Sequence, residues 1–517
     1  MLKKTLLLSL SATLLLATNG VNMVGTSTVS RSMGGTGVAF YSHATEAMHK
    51  NISMLGDIEK DEFQFDMTIF SATVNSTVYD KMPLNANLVL PNLPSYDNPI
   101  TATSANMFDT NFIPSMTYAT RIFDELVFGF AIIGAAGMAT QYEGEYSQRQ
   151  LNSSMLLMKI IPGFSYRQGN TTFGFAPVLG LGSLSLNYDD RYLDESGNSY
   201  DYGTKPQSQR EGIFGTNVGG SELESAIGYT VGMDVKVTPK LRIGATYNSA
   251  LKNTYREVAN FSQFGPNGMV YMADEWMRNN TGAGLTTGDV STIGVQLMDN
   301  VAFSTIPNAQ DIADTIQKLS GAGSITDALA ATNPDHRDDL TMEQPWEIAV
   351  GFAYDISNKM VVTFDYRYIA WGTAEGYRDF GWDSQHVYAF GMQHTGKDYV
   401  LRAGYSYADS PIPNTTDEFG AVLTDVQGTL VFKQAVSMLN MVGFPAISTT
   451  HFSVGGGYAF DEDIDFDLAM MYSPTATATR SGSLNPVELG FEAVDMPYEY
   501  QTTMQQLSLS FGINYKF

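Results

Sequence analysis

The sequence predicts an all-β fold, a membrane-spanning antiparallel barrel of about fourteen strands, and three observations carry that reading. The last eleven residues, LSLSFGINYKF, alternate without a slip: Leu507, Leu509, Phe511, Ile513, Tyr515 and Phe517 fall on one face, Ser508, Ser510, Gly512, Asn514 and Lys516 on the other. An apolar outside with a polar inside is the period-two pattern of a barrel strand in lipid. The 517 residues include 48 Gly, 12% aromatic and only 16% charged residues, and no apolar run after the amino terminus is long enough for a spanning helix. Short turn signals also alternate with long stretches rich in Pro, Gly and Asn, as expected of a barrel with tight turns at one rim and long loops at the other.

At the amino terminus, Met1, Lys3 and Lys4 precede an apolar run from Leu6 to Ala17 broken only by Ser and Thr. This reads as a signal peptide over residues 1–20, too short to span and stay, removed after Ala17 or Gly20. The chain has no Cys, so disulfide and thiolate chemistry are excluded. Its formal charge of -25, or -27 once Lys3 and Lys4 are lost, argues against nucleic acid as a partner. Much of that charge is expected on loops and in the lumen.

Six short turns are readable, near Phe123–Glu125, Gln168–Asn170, Thr238–Lys240, Asp355–Lys359, Thr395–Asp398 and Asp461–Asp463. Between them, segments such as Leu241, Ile243, Ala245, Tyr247 against Arg242, Gly244, Thr246, Asn248 keep period two. Six hairpins give twelve strands, and one strand before them (around Phe63–Val74) and one after (Gln505–Phe517) give fourteen. The expected organisation is a signal (1–20), a non-alternating segment (21–62), and a barrel (63–517) with large loops at about 75–111, 188–226, 252–344, 409–449 and 474–504.

Two sets of residues invite a binding role. The long loop carries FSQFGPNGMVYMADEWM, with Phe261, Phe264, Met269, Tyr271, Met272, Trp276 and Met277 close together. Met and aromatic side chains adapt to flexible apolar ligands, so this is a candidate capture groove, or else the loop's own small core. Asn308–Leu319 adds a helical apolar face, and Val436–Ile447 a second apolar loop segment. In the lumen, period two points Arg242, Asp365, Arg367, Arg402, Asp465, Asp467 and Lys516 inward. An inward Arg suits a ligand carboxylate, but a cross-strand ladder of paired charges is the favoured reading.

Catalytic and metal signals are weak. The run DEDIDFD (Asp461–Asp467) lacks the Gly and distant Glu of a calcium loop, the six His show no HExxH spacing, and no G-x-S-x-G occurs. MGGTGVAF lacks the strand and helix of a dinucleotide fingerprint. No enzyme activity, cofactor or metal is expected.

The chain resembles a known family: the outer-membrane transporters of long-chain fatty acids and other hydrophobic compounds (FadL/OmpP1/TodX-like). SRSMGGTGVAF places Gly34, Gly35, Gly37 and Ala39 on the family's GGxGxA-like stretch; Asn51 matches the start of its Asn-Pro-Ala motif but is followed by Ile52 and Ser53. Pro345–Trp371, Tyr399–Pro413 and His451–Tyr472 look like its hairpins, and the terminal aromatic resembles the signature by which Gram-negative outer-membrane barrels are recognised for insertion. The resemblance implies a fourteen-stranded barrel with an amino-terminal hatch. It also implies loop capture of an apolar ligand, an internal pocket, and passive sideways exit through a kinked third strand. That strand is LVFGFAIIGAAGMATQY (Leu126–Tyr142), where Gly129, Gly134 and Gly137 are kink candidates or sites of close packing on the hatch. Expected partners are fatty acids, aromatic or alkane hydrocarbons, outer-membrane lipid and lipopolysaccharide, and the barrel-assembly machinery. The competing functions are a porin for hydrophilic solutes and a surface adhesin or structural barrel.

Overall fold

The computed structural model describes residues 18–80, 100–104, 111–143, 152–188, 216–218, 223–259, 338–413, 423–484 and 496–517. Fourteen strands close into one antiparallel barrel. The first seven are β1 (Glu62–Asp80), β2 (Asn111–Phe123), β3 (Leu126–Glu143), β4 (Asn152–Gln168), β5 (Thr171–Tyr188), β6 (Glu224–Thr238) and β7 (Leu241–Asn248). The rest are β8 (Glu347–Ser357), β9 (Met360–Ile369), β10 (Gln385–Thr395), β11 (Tyr399–Ala408), β12 (Thr450–Ala459), β13 (Ile464–Leu484) and β14 (Met496–Lys516). Each pairs with its successor over part of its length, and β14 pairs with β1 from Lys516↔Glu62 to Tyr498↔Asp80, which closes the ring of strands. All six expected turns join neighbouring strands, which puts the turns at one rim and the loops at the other.

Burial is inverted relative to a soluble protein. On β14, Leu507, Leu509, Ile513 and Tyr515 are exposed while Ser508, Ser510 and Asn514 are buried, which suits hydrocarbon outside and a polar lumen. Across β8 to β12 the outer rings of Phe352, Phe364, Phe390, Tyr405 and Phe452 follow one another at centroid spacings of 4.9–6.5 Å, the cross-strand aromatic contact that fixes register on a sheet face.

The loop boundaries differ from those expected. The ladder of β13 and β14 continues to Leu484↔Met496, so much of 474–504 is strand; Thr477 and Thr479 keep the alternation, and β-branched Thr favours a strand beyond the apolar band. Both ends of the 252–344 loop pair with each other, Leu251↔Gln344 to Ala259↔Asp338. Residues 409–449 contain a hairpin (Leu423–Val426 with Thr429–Phe432) and a helix, Lys433–Met438, followed by a wider helical turn, Leu439–Gly443.

Residues before β1 fill the lumen. They comprise α1 (Thr28–Ser32), α2 (Ala44–Lys50) and a 3-10 turn, Ile52–Asp57. Met33, Val38, Ala47, Met48, Met54 and Leu55 are fully buried, and α1 is capped by Ser27, whose hydroxyl accepts from the Ser30 amide at 3.0 Å.

Candidate functional site

The hatch is fastened to the wall by backbone groups and by charges. Gly34 sits at φ +69° with Tyr405 backbone atoms 2.7 Å from where a Cβ would stand, so both its conformation and its close approach require glycine. Its amide donates to Ser453 Oγ at 3.0 Å. Gly35, at φ +84°, lies beside Val24. The amides of Gly37 and Val38 both donate to Asp365 Oδ2, at 2.7 and 3.0 Å. Asn51 donates to the carbonyls of Val38 (2.7 Å) and Met233 (3.2 Å) while its Oδ1 accepts from Ser53 Oγ at 2.8 Å. It caps the 3-10 turn without the proline that the family motif carries at the next position.

The inward Arg and Lys residues that the sequence singles out are paired. Arg402 bonds Asp467 at 2.5 Å and Arg367 bonds Glu347 at 3.4 Å. Lys516 meets Asp465 at 2.6 Å, and Arg242 meets Asp234 at 2.8 Å and Asp57. Arg242, Arg367 and Arg402 thus tie wall to wall or wall to hatch, and none lines the apolar cleft described below. Asp57, on the hatch, also holds Arg167 and Lys236. Burial works against its charge, but Arg242 and Lys236 outweigh that and hold its carboxyl below the usual range. This cluster borders a polar vestibule of about 930 Å³ at the turn rim, with Phe40, Arg121 and Lys240 among its walls.

The wall has a break at β3. Pairing with β2 ends at Ser115↔Ile133, and Ala135 is an extra residue in the ladder to β4 between Gly134↔Met158 and Ala136↔Leu157. Asn111 to Pro114 of β2, which continue that register, do not pair with residues 134–137 of β3, a span of roughly 13 Å at strand rise. Gly134 flanks the bulge, and a Cβ there would stand 2.6 Å from Ile113 Cγ2 on β2. The amide of Gly137 donates instead to the carbonyl of Val21 at 3.1 Å, and Asn22 pairs with Ala136. Beyond the break, β3 resumes pairing with the short strand Ile100–Ser104 at Tyr142 and Glu143. Gly129 is different: a Cβ there would meet Met48 Sδ at 2.5 Å and Leu55 Cδ1 at 2.8 Å, so it makes room for the hatch.

Val21 also lines an apolar cleft in the loop half of the lumen, together with Met155, Leu184, Leu340, Tyr377, Trp382, Leu439 and others. Its walls nearly touch, leaving a void of only about 30 Å³. The Met and Leu side chains must part for a ligand. Tyr377 and Trp382 form its aromatic side together with Phe380 and Phe444, and Trp371 packs against the first two, with centroids 4.6 Å (Trp371–Tyr377), 5.2 Å (Trp371–Trp382) and 4.7 Å (Tyr377–Trp382) apart. Trp382 Nε1 donates to Asn440 Oδ1 at 2.8 Å, and Asn440 donates to the Phe380 carbonyl at 2.6 Å, so the polar atoms are satisfied among themselves. No Lys, Arg or His lines the cleft among the described residues.

Of the sequence candidates, Val436–Ile447 does reach the cleft, through Leu439, Asn440 and Phe444. Phe261, Phe264, Met269, Tyr271, Met272, Trp276 and Met277, the Asn308–Leu319 segment and residues 1–17 of the expected signal peptide lie outside the described residues, while its last residues are placed in the barrel, Thr18–Asn19 pairing with Asn22–Met23 and Gly20 lying against Trp371. The Trp371–Trp382 segment was not singled out as a site, although it holds two of the chain's four Trp within twelve residues.

A family profile described as outer membrane protein transport protein (OMPP1/FadL/TodX) matches residues 9–420. The chain belongs to this family. It is therefore an outer-membrane protein of the Gram-negative type, in a family of transporters of hydrophobic compounds and not of enzymes. Among solved structures, a Pseudomonas aeruginosa FadL homologue is 14% identical, covering 96% of this chain and 100% of its own, with a TM-score of 0.58. The Pseudomonas putida toluene transporter TodX is 16% identical over 97% and 100%, at 0.54. The Ralstonia pickettii toluene transporter TbuX is 15% identical over 96% and 99%, at 0.53. At such identity these likenesses carry the fold alone. No curated protein matches the chain.

Proposed function

We propose that this family member takes up hydrophobic compounds passively, long-chain fatty acids first among them, by capture at the loops, residence in the apolar cleft and sideways exit through the break at β3. The observation that carries this reading is the double position of one residue: Val21 lines the cleft with its side chain and closes the wall with its carbonyl. Displacing the amino-terminal segment joins pocket to membrane in one movement. A lateral path also keeps an acyl chain out of water, where it loses about 0.8 kcal/mol per CH2. The straight path through the turn rim is polar and charged, which suits a sealed base better than a hydrocarbon duct.

A second ligand class has its own support. The aromatic side chains of Tyr377, Phe380, Trp382 and Phe444 and the lack of cations lining the cleft favour neutral aromatic hydrocarbons such as toluene, the compound named for TodX and TbuX. A general porin is disfavoured by the filled lumen. The test is uptake of radiolabelled palmitate and of toluene by a Gram-negative strain lacking its own hydrophobe transporter and expressing this chain, beside liposome swelling in small sugars. Hydrophobe uptake without sugar leakage is expected. Sugar leakage without hydrophobe uptake would replace the reading with a porin, and neither signal would point to an adhesin.

A further inference from the structure

The turn rim carries its charge unevenly. Five of the chain's 29 Lys and Arg line the vestibule there, against three of its 54 Asp and Glu. A chain with a formal charge of -25 therefore opens a basic concavity of about 930 Å³ toward the periplasm, the side that the short turns of an outer-membrane barrel face. Nothing in the route through the cleft and the break at β3 uses it.

Internal pairing does not cancel that excess. One hatch carboxylate, Asp57, serves Arg167, Lys236 and Arg242 together, and the other acid of the cluster, Asp234, bonds Arg242 alone. Arg121 directs its guanidinium at carbonyls, that of Gly56 at 3.3 Å and that of Asp124 at 2.6 Å among them. Neither Arg121 nor Lys240 makes an ion pair among the described residues, and Lys236 and Lys240 are exposed. Round the rim the sign reverses. The turn Asp461–Asp463, between β12 and β13, holds three acids in a row, of which Lys60 pairs with one. It stands six strands from the turn Thr238–Lys240 in a ring of fourteen, nearly opposite.

The spread of the cations selects the kind of partner. Arg121 is on β2, Arg167 on β4, Lys236 on β6 and Arg242 on β7, and at about 4.8 Å per strand they cover about 24 Å of wall. A small anion reaches one or two of them. An extended peptide, at about 3.3 Å per residue, follows the whole arc with about seven residues. Lipid headgroups lie outside the ring of turns, whereas the vestibule lies inside it. We infer that the vestibule docks an acidic, extended segment of a periplasmic protein along the sector from Arg121 to Arg242, with Asp461–Asp463 repelling it from the opposite sector. Such docking needs only the rim's orientation and charge, which steer an anionic partner to one register, and it holds whichever solute the barrel passes.

The test is fluorescence anisotropy of labelled octaglutamate, with octaglutamine as the neutral control, on the purified full-length protein in neutral detergent. Octaglutamate is expected to bind at an ionic strength of about 0.02 M and to weaken at least tenfold at about 0.3 M, while octaglutamine does not bind. Lys240→Glu should weaken octaglutamate fivefold or more and Lys240→Arg should stay within twofold of wild type. Lys397→Glu makes the same change of charge at the turn Thr395–Asp398, outside the vestibule, and should also stay within twofold. Salt-independent binding, equal binding of octaglutamine, or equal loss from Lys240→Glu and Lys397→Glu would overturn the docking site. Complete displacement by millimolar inorganic phosphate would overturn it in favour of a small-anion site, and displacement by phosphatidylglycerol in the micelles but not by phosphate would do so in favour of lipid headgroups. Because the probe reports on the purified protein, none of these outcomes depends on whether cells expressing it take up palmitate or toluene.

Discussion

Asn22 and Ala136 are register partners across the wall break, which places their Cα atoms about 4.5–5.5 Å apart, within disulfide range. The chain has no native Cys, so the double variant Asn22→Cys, Ala136→Cys yields a single possible crosslink. When oxidised, it pins the amino-terminal segment to β3 and keeps Val21 between cleft and membrane. A palmitoyl chain denied the sideways path must cross water, and at about 0.8 kcal/mol per CH2 that adds on the order of 12 kcal/mol to its barrier, a factor of many millions in rate. Uptake of radiolabelled palmitate should therefore fall to the empty-vector background in oxidised cells and return on adding a membrane-permeant reductant. Each single Cys variant should transport in both conditions. Retention of more than half the wild-type rate with crosslinking complete by mass spectrometry would refute the lateral route.

Four other outcomes follow from the geometry. Gly129→Val drives a side chain into Met48 and Leu55, so overpacking of about 1–3 kcal/mol should loosen the hatch and raise hydrogen exchange across residues 44–57; unchanged protection would mean Gly129 does not seat the hatch. Asp57→Ala strips the partner from Arg242, Arg167 and Lys236 and should destabilise the hatch by about 2–3 kcal/mol, read as faster exchange in the same segment. Because Asp57 is held below the usual range, its contribution is complete above the ordinary carboxylate value near about 4 and is lost as pH falls through the lower folded value. Hatch exchange corrected for intrinsic rate should thus be flat from about pH 7 to 5 and rise only as pH falls below the ordinary carboxylate value, and the rise should be absent in Asp57→Ala. Trp382→Ala removes one wall of the aromatic trio and the bond to Asn440, and toluene binding should weaken tenfold or more; no change would place aromatic ligands elsewhere.

The barrel was legible because lipid imposes a rule that a sequence cannot hide. With a polar lumen inside and hydrocarbon outside, every second residue must change character, and the last eleven residues obey it without exception. The six tight turns were legible for a related reason, since Gly169–Asn170 or Asp461–Asp463 leave no room for anything but a hairpin. The lumen was readable only as a set of inward charges. Which Asp each Arg meets depends on strand stagger and on where the hatch folds back, so Asp57 as the partner of Arg242 could not be foreseen. The extra residue of the bulge is Ala135, next to Gly134, because a bulge is set by where two ladders fall out of step and not by the loss of a side chain. The cleft drew its walls from Val21, Met155, Trp382 and Leu439, residues hundreds of positions apart. No local pattern marks such a set, although two Trp in so short a connection were a usable hint. The loop boundaries at 474–504 misled because Thr and Ser look like loop residues in composition while alternating like a strand.

The route itself can be read directly by mass spectrometry of the barrel after photolysis in cells fed a diazirine-bearing palmitate analogue during uptake. Adducts concentrated at the break, on Ile113, Gly134 and Gly137 and on the amino-terminal residues 21–23, are the predicted result. Adducts at the turn rim instead, on Phe40, Lys240 and Arg242 around the polar vestibule, would show that the ligand passes straight through the hatch and would contradict lateral exit.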